Sequence, residues 1–271
     1  GEAAIRSGCR HFFGYPITPQ TELSAYMAKK MPKINGVFLQ AESEVSAINM
    51  VYGAAAAGMR AMTSSSSPGI SLKAEGISYL AAGDLPCVIV NIVRGGPGLG
   101  GIQPAQSDYF QAVKGGGHGD YHLIVLAPNS VQELAYLTAE AFNISDEYRI
   151  PTMILGDGTL GQMMEPVDLD AIPEPIYADK PWAARGTDNK RKKNVVETLY
   201  LEASELEKKV LEREEKYNVV KENLQRYEAH DSDDDDIIIS SYGITSRVVE
   251  TAVKSPVSYT HLRAHETGRN L

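Results

Sequence analysis

The sequence predicts an α/β protein built on a parallel β-sheet. Apolar, strand-like runs alternate with Ala-rich helical stretches from residue 1 to about residue 166, as expected of βαβ units. Residues 85–93 contain no charge, which is typical of a strand buried on both faces of a parallel sheet. Hydrophobic residues make up 43% of the 271 positions, so the chain can form a sizeable core.

The predicted elements of this domain follow one another in short succession. The first strand covers residues 11–15, and Pro16 and Pro19 then force a turn, because proline lacks a backbone donor and fixes its own φ. Gly53 and Gly58 lie in a buried Ala-rich helix and are expected to permit close approach of neighbouring backbone. A helix is predicted to begin at Thr21, further helices to cover residues 44–58 and 131–145, and further strands to cover residues 37–40, 85–93, 123–127 and 152–156.

Beyond residue 166 the chain changes character. Residues 166–193 are Pro-rich and irregular, and residues 194–230 are predicted to form a long charged helix packed along one apolar stripe. The acidic run at residues 233–236 is expected to form a surface turn, with metal binding by Asp235 and Asp236 as the alternative. A predicted strand over residues 237–243 then begins a second α/β domain that is cut short. The predicted division is a domain at 1–166, a linker with a long helix at 167–232 and a truncated second domain at 233–256.

Both ends of the sequence are atypical of a natural protein. The chain opens with Gly1 inside a helical stretch, so we expect its natural start to lie upstream. Residues 257–267 are similar to the in-frame translation of a transposon-end adaptor used in sequencing libraries, and residues 257–271 are therefore expected to be an artefact. Metal binding by His261 and His265, four residues apart, is the alternative for that segment.

Composition excludes several classes of function. The formal charge of −9 argues against binding to nucleic acid, which is recognised mainly through clustered Lys and Arg. No uncharged apolar run approaches the roughly 20 residues that span a bilayer, so a membrane protein is not expected. Cys9 and Cys87 are the two cysteines, too few for a disulfide framework and without metal-binding spacing. A reduced, cytoplasmic setting is expected.

Two polar features follow predicted strands. Tyr-Pro-Ile-Thr-Pro at residues 15–19 could hold a hydroxyl ready for an anion, although a rigid turn between strand and helix is the simpler interpretation. Arg94 is the first charge after the strand at residues 85–93, beside mobile glycines. A guanidinium there is suited to bidentate capture of a carboxylate, and an ordinary surface arginine is the alternative.

Two carboxylates open the Ala-rich helix at residue 44. One carboxylate at a helix N-terminus commonly interacts with the helix dipole, whereas two suggest a further role. If Glu42 faces solvent, Glu44 points elsewhere, into an interface where it could share a proton with a ligand nitrogen.

Several weaker signals remain open. Residues 63–69 offer hydroxyls and backbone amides that could cradle an anion, or they form a polar loop. Gly98 and Gly100 lack the dinucleotide fingerprint, which makes an NAD site improbable. The Gly-Asp-Gly at residues 156–158 lacks the downstream Asn pair of a metal–diphosphate motif and is interpreted as a strand-ending turn. His118 could carry a proton, but a loop residue is the simpler interpretation.

Taken together, five segments make the sequence similar to the alpha subunit of 2-oxoacid:ferredoxin oxidoreductases. The resemblance covers residues 1 to about 254. Within the family, the loops at residues 100–104 and 114–120 resemble most the members that act on 3-methyl-2-oxobutanoate. The five segments lie at residues 15–19, 40–44, 52–58, 63–69 and 94–97.

The resemblance implies a fold, cofactors and site residues. Residues 1–166 would be the pyrimidine-binding domain for thiamine diphosphate, with Glu44 as the catalytic residue that contacts the aminopyrimidine. The substrate carboxylate binders would be Thr18 and Arg94, and Ser66 and Ser67 would contact the cofactor. The reaction would be oxidative decarboxylation of a 2-oxoacid to an acyl-coenzyme A, with electrons passed to ferredoxin.

The resemblance also implies partner subunits. A diphosphate-binding beta subunit would complete the cofactor site and hold Mg²⁺, with gamma and ferredoxin-like delta subunits alongside. Two separated cysteines cannot supply the four thiolates of an iron–sulfur cluster, so the clusters would lie in partner subunits. Three alternatives remain: a non-catalytic scaffold subunit, a member specific for pyruvate or 2-oxoglutarate, and an NAD-linked dehydrogenase.

Overall fold

The structure, a computed structural model, describes residues 1–229 and 238–254. Its centre is a six-stranded sheet in which every neighbouring pair of strands is parallel, as the sequence predicts. The strands are β1 His11–Gly14, β2 Val37–Gln40, β3 Ala61–Ser65, β4 Val88–Val93, β5 Ile124–Leu126 and β6 Thr152–Asp157. Their spatial order is β2-β1-β3-β4-β6-β5, which places β3 and β4 in the interior of the sheet.

Helices cover both faces of this sheet. Successive strand residues point to opposite faces, so Phe12 belongs to a core cluster on one side and Phe13 to a cluster on the other. The first cluster includes Met27 and Phe142, and the second includes Ile48 and Ile77. The helices are α1 Glu2–Arg6, α2 Thr21–Lys30, α3 Glu44–Ala56, α4 Pro68–Ala82, α5 Tyr109–Val113, α6 Val131–Tyr148, α7 Gly158–Gln162, α8 Ala203–Asn223 and α9 Gly243–Lys254, with a 3-10 turn at Met31–Ile34. Among the described residues, no helix is both long and apolar enough to cross a membrane.

The interior strand β3 is the main element that the sequence did not predict. A polar loop over residues 63–69 is wrong for residues 63–65, because Thr63, Ser64 and Ser65 are fully buried and pair with β4. Hydroxyl side chains resemble a loop in sequence, yet a strand can bury them where other groups accept their hydrogen bonds.

The long charged helix is shorter than predicted. It covers Ala203–Asn223, whereas residues 194–202 are irregular. In this segment the Asn194 amide donates to the Ala183 carbonyl at 3.0 Å, and Val196 packs against the second core cluster. These tertiary contacts hold residues 194–196 against the domain and outweigh the helical pattern there, whereas Leu199 and Leu201 are exposed.

The strand predicted over residues 237–243 is also not formed where the structure describes it. Residues 238–242 have no strand pairing, and α9 begins at Gly243. A strand needs a neighbour for its backbone hydrogen bonds, and Ile238 is instead 82% exposed. Residues 233–236 and 257–271, with the turn, the metal alternatives and the artefact predicted there, lie outside the described residues.

A buried arginine fastens the irregular segment after β6 to the domain. Arg60 donates to the Asp146 carboxylate at 2.8 Å, to the Ser7 carbonyl at 2.5 Å and to the Ile176 carbonyl at 2.6 Å. Lys180 pairs with the other oxygen of Asp146. Because ionised and carbonyl partners compensate the buried guanidinium, this cluster joins the end of α1, α6 and residues 176–180.

Two glycines allow close packing, one expected and one not. A Cβ atom on Gly58 would lie 2.8 Å from the Cβ of Ala183, and the φ of +82° also favours glycine, in agreement with the prediction. Gly53 is different, since a Cβ atom there would have no neighbouring atom within 4 Å. The close contact between α3 and α4 occurs instead at Gly76, where a Cβ would lie 2.4 Å from Cγ2 of Ile48.

We expect Gly76→Ala to lower the free energy of unfolding by about 1–3 kcal/mol, because the added methyl group overpacks the α3–α4 contact. The matched control is Gly53→Ala, which should leave stability unchanged or raise it by up to about 1 kcal/mol through better helix propensity. Urea unfolding of both variants checks this. Equal stability of the two variants would contradict it.

Candidate functional site

Four polar segments converge where the parallel strands end. The turn at residues 15–19 follows β1, α3 begins just after β2, residues 66–67 follow β3, and Arg94 follows β4. The carboxyl ends of parallel strands lie along one edge of a sheet, which is where ligands bind in α/β folds. The fold therefore gathers these segments along one edge of the sheet.

Arg94 and Thr18 meet at this edge. The Arg94 side chain is buried, with 7% of the residue exposed, and its Nη1 donates to the Thr18 carbonyl at 3.0 Å. Its Nη2 donates to the Leu99 carbonyl at 2.9 Å, while Nε is buried with no partner in the part of the chain that the structure describes. Within the described residues no ion pair involves Arg94. A buried guanidinium with an unused donor is suited to an anion.

Glu44 and Glu42 differ in solvent exposure, as the sequence suggests. Glu42 is exposed, whereas Glu44, the first residue of α3, is 6% exposed. The N-terminus of α3 is capped by Ser43, whose hydroxyl accepts from the Ser46 amide at 3.2 Å. The side-chain cap of α3 is therefore supplied by Ser43 and not by Glu44.

The Glu44 carboxylate lies beside the start of α4. A Cβ atom on Gly69 would lie 2.9 Å from Oε1 of Glu44 and 2.1 Å from Oγ of Ser65. Only a residue without a side chain fits between these two polar groups. Gly69 thus lets a carboxylate and a hydroxyl approach the same point at the start of α4.

The three serines after and at the end of β3 have different surroundings. The hydroxyls of Ser65 and Ser66 are buried and have no hydrogen-bond partner among the described residues. Ser67 instead lies within hydrogen-bonding distance of Asp108, at 2.7 Å, and accepts from the Arg94 amide at 3.0 Å. Its hydroxyl is therefore used in holding the turn. Of the two serines predicted to contact a cofactor, Ser66 offers a free hydroxyl and Ser67 does not. Ser65 adds a second free hydroxyl, within the segment at residues 63–69 but not among the predicted cofactor contacts.

A buried lysine was also missed. Lys73 on α4 is fully buried, and its Nζ donates to Oγ1 of Thr63 and to the Ser64 carbonyl, both at 3.0 Å. Burial lowers the Lys73 pKa from 10.5 to about 8, although attraction to Glu44 opposes this shift. A sequence signal existed, because Lys73 falls on the same helical stripe as the buried Ile70 and Ile77.

Gln20 is a second missed residue. It is 2% exposed, and its amide donates to the Tyr15 carbonyl at 3.0 Å while its carbonyl accepts from the Ser64 hydroxyl. Gln20 thus links the turn after β1 to strand β3. These two hydrogen bonds hold the turn at residues 15–19 against β3.

The weaker candidates have structural roles or lie elsewhere. Asp157 caps α7 by accepting from the Thr159 and Leu160 amides, which confirms the strand-ending turn. His118 is an exposed loop residue whose ring contacts Tyr79 edge-on. Cys9 and Cys87 are buried free thiols, and burial raises the pKa of Cys9 to about 12 and that of Cys87 further. In the described residues, no group of three or more His, Cys, Asp or Glu side chains is arranged to hold a metal.

Residues 2–233 match the family described as pyruvate flavodoxin/ferredoxin oxidoreductase, thiamine diphosphate-binding. The chain belongs to this family. Among curated members, it is 51% identical over 250 residues to the ketoisovalerate oxidoreductase subunit VorB of Methanothermobacter marburgensis, covering 92% of this chain and 71% of that protein. It is 48% identical over 169 residues to the 2-oxoglutarate synthase subunit KorA of Methanothermobacter thermautotrophicus, covering 61% of this chain and 44% of KorA.

A solved structure of the family supports the fold as well. It is the 2-oxoglutarate:ferredoxin oxidoreductase from Magnetococcus marinus with 2-oxoglutarate, coenzyme A and succinyl-CoA bound. The TM-score is 0.77 at 28% identity, and the match covers 92% of this chain and 48% of that chain. The present chain thus spans about half of that solved chain.

The polar groups at this edge fit the cofactor of the thiamine diphosphate-binding family. An aminopyrimidine ring presents nitrogen donors and acceptors, and the edge holds a nearly buried carboxylate on Glu44 and, among the described residues, unpartnered hydroxyls on Ser65 and Ser66. Buried polar groups ordinarily have hydrogen-bond partners, so unpartnered ones are suited to a polar ligand.

The lowered pKa of Lys73 predicts a pH dependence of stability. Between about pH 8 and the unfolded value near 10.5, the unfolded chain binds more protons than the folded chain, so stability rises with pH in this window. We expect the free energy of unfolding of the native protein, relative to Lys73→Met, to increase by up to about 1.4 kcal/mol per pH unit there. Urea unfolding from pH 7 to 10 measures the difference.

The control for this prediction is Lys29→Met, which removes an exposed lysine from α2. Its stability should follow the native protein at every pH. A native-minus-Lys73→Met difference that stays constant from pH 7 to 10 would show that Lys73 does not titrate in this range.

Proposed function

We propose that this chain supplies the aminopyrimidine-binding half of the active site in a thiamine diphosphate-dependent 2-oxoacid:ferredoxin oxidoreductase. The observation that carries the proposal is the buried Glu44 carboxylate facing Ser65 across Gly69, on the same sheet edge as Arg94. Family membership over residues 2–233 supports it.

Glu44 is the proposed catalytic residue. Its nearly buried carboxylate would hold a proton at the ring nitrogen of the aminopyrimidine, in a setting where little water competes for that proton. When bound, thiamine diphosphate supplies the carbon nucleophile that attacks the 2-oxo group. Ser66 would orient the ring through its free hydroxyl, and Ser67 would act through the shape of the turn.

Thr18 and Arg94 are the proposed binders of the substrate carboxylate. Arg94 carries a charge without an acidic partner among the described residues, and Thr18 is exposed beside it with its carbonyl already on the guanidinium. Together they would anchor one end of the 2-oxoacid so that its carbonyl carbon faces the cofactor.

The remaining components of the reaction would come from other subunits. We propose a beta subunit that binds the diphosphate and Mg²⁺, gamma and ferredoxin-like delta subunits, iron–sulfur clusters outside this chain, and coenzyme A and ferredoxin as further reactants, in the cytoplasm. Cys9 and Cys87 support this division, because they are buried singly and cannot ligate a cluster. The division of the chain at residues 166 and 232 is part of the same proposal.

The proposed substrate is 3-methyl-2-oxobutanoate. The chain is 51% identical to the ketoisovalerate subunit over 92% of its length. The match to the 2-oxoglutarate subunit KorA covers only 61% of the chain, so 3-methyl-2-oxobutanoate is favoured over 2-oxoglutarate. The test is anoxic, thiamine- and coenzyme A-dependent reduction of viologen by the assembled complex, with 3-methyl-2-oxobutanoate, pyruvate and 2-oxoglutarate supplied separately. The highest kcat/KM should belong to 3-methyl-2-oxobutanoate. No reduction by an intact, cluster-loaded complex would favour the scaffold alternative.

Glu44→Gln should lower kcat by about 10²- to 10⁴-fold, because the amide cannot hold the proton at the ring nitrogen. Assembly of the complex should be unaffected. Steady-state viologen reduction measures the loss, and the matched control is the exposed Glu42→Gln, two residues away, which should retain normal turnover. Normal turnover in Glu44→Gln would rule out the catalytic assignment.

Arg94→Ala should raise KM for the 2-oxoacid by about 10- to 100-fold, because a charge-assisted contact to the carboxylate is lost. Arg94→Lys keeps the charge but not the fork of donors, so its KM should fall between those of the native protein and Arg94→Ala. Arg185→Ala, in an exposed segment, is the control. An unaltered KM in Arg94→Ala would indicate a different carboxylate anchor.

A further inference from the structure

Lys73 lies on α4, the helix whose start adjoins the Glu44 carboxylate. It follows Gly69 by four residues on α4, so the two positions share one face of the helix. Gly69 is the residue against which the Glu44 carboxylate rests, with Oε1 2.9 Å from the position of a Cβ. The Cα atom of Lys73 therefore lies one helical turn from Gly69, and its ammonium group donates to the carbonyl of Ser64, the neighbour of Ser65 in β3.

The contacts of Lys73 leave its charge uncompensated at close range. Its two hydrogen-bond acceptors, the Thr63 hydroxyl and the Ser64 carbonyl, are neutral. Within the described residues Lys73 forms no direct ion pair, and Glu44 is the charged group that acts on it electrostatically. Burying a cation without a contacting anion costs stability, and an apolar side chain would fill a helix interior at lower cost.

We propose that Lys73 is a positioning residue for Glu44: its ammonium group attracts the Glu44 carboxylate and opposes the transfer of a proton onto it. A proton shared between Glu44 and a bound ring nitrogen would then reside mainly on the nitrogen. This inference rests on the proposed function, since it concerns the ligand nitrogen that Glu44 would meet.

The physical basis is the weak screening inside the domain. Lys73 and Glu44 are both buried, so little solvent screens the attraction between their charges. In such surroundings a nearby positive charge stabilises the ionised form of a carboxylate by more than it would in water. The Thr63 hydroxyl and the Ser64 carbonyl, which contact Lys73, are uncharged throughout this pH range. The electrostatic effect on Glu44 therefore depends on the charge of the ammonium group itself.

The test is the number of protons taken up when thiamine diphosphate binds to the cofactor-free complex. Calorimetric binding enthalpies in two buffers of different ionisation enthalpy give this number, and the titrations cover about pH 5 to 7, below the Lys73 pKa of about 8, where its ammonium group is charged. Because Lys73 opposes protonation of the shared site, the pH at which proton uptake falls to half should rise by about one unit in Lys73→Met. Lys73→Gln, which can still hydrogen-bond to Thr63, should show the same rise.

Three further variants separate charge from packing. Lys73→Arg keeps the charge and should follow the native profile, as should Thr63→Val, which removes one contact of the ammonium group but not its charge. Glu44→Gln should abolish the proton uptake, and adding Lys73→Met to it should change nothing more.

Native-like proton uptake in both Lys73→Met and Lys73→Gln would overturn the inference while leaving the proposed function intact. An equal rise in Thr63→Val would overturn it too, because packing alone would then account for the shift. If the native complex binds no thiamine diphosphate, the proposed function itself fails, and the role of Lys73 with it.

Discussion

The polar interior of strand β3 is the constraint on which the rest of the site depends. Thr63, Ser64 and Ser65 are fully buried in the middle of a parallel sheet, where hydroxyl groups are costly unless they have partners. Lys73 supplies a donor to Thr63, and Gln20 accepts from Ser64. The hydroxyl of Ser65, at the end of the strand, has no partner among the described residues.

Satisfying β3 also orders the segments around it. Gln20 ties the strand to the Tyr15 carbonyl, and thereby holds the turn that carries Thr18. On the other side, Ser67 and Asn91 share the Asp108 carboxylate, and Ser67 accepts from the backbone of Arg94. Hydrogen bonds to β3, and to the turn that follows it, thus position both proposed carboxylate binders, Thr18 and Arg94.

The segment at residues 241–247 docks near this edge and contributes to its order. The Gln106 amide donates to the Tyr242 carbonyl at 2.9 Å, and the Thr245 hydroxyl lies 2.7 Å from the Gln106 side-chain oxygen. Arg247 pairs with Glu165 at 2.6 Å. Gln106 precedes Asp108 by two residues, so the contacts that seat the start of α9 also restrain the loop that supports Ser67 and Asn91.

The sequence alone determined the α/β class, five of the six strands and the rigid turn at residues 15–19, because side-chain periodicity and proline geometry are local properties. It also singled out Glu44 and Arg94 as charges at the ends of apolar elements. Three features became known only from the folded chain. Residues 61–65 form an interior strand, the Ser67 hydroxyl is hydrogen-bonded to Asp108, and Lys73 is buried near Glu44. The same holds for the irregular course of residues 194–202 and for the unpaired residues 238–242. Each of these features depends on which distant segment supplies a hydrogen-bond partner. The pattern of hydrophobic residues along the sequence does not specify that segment.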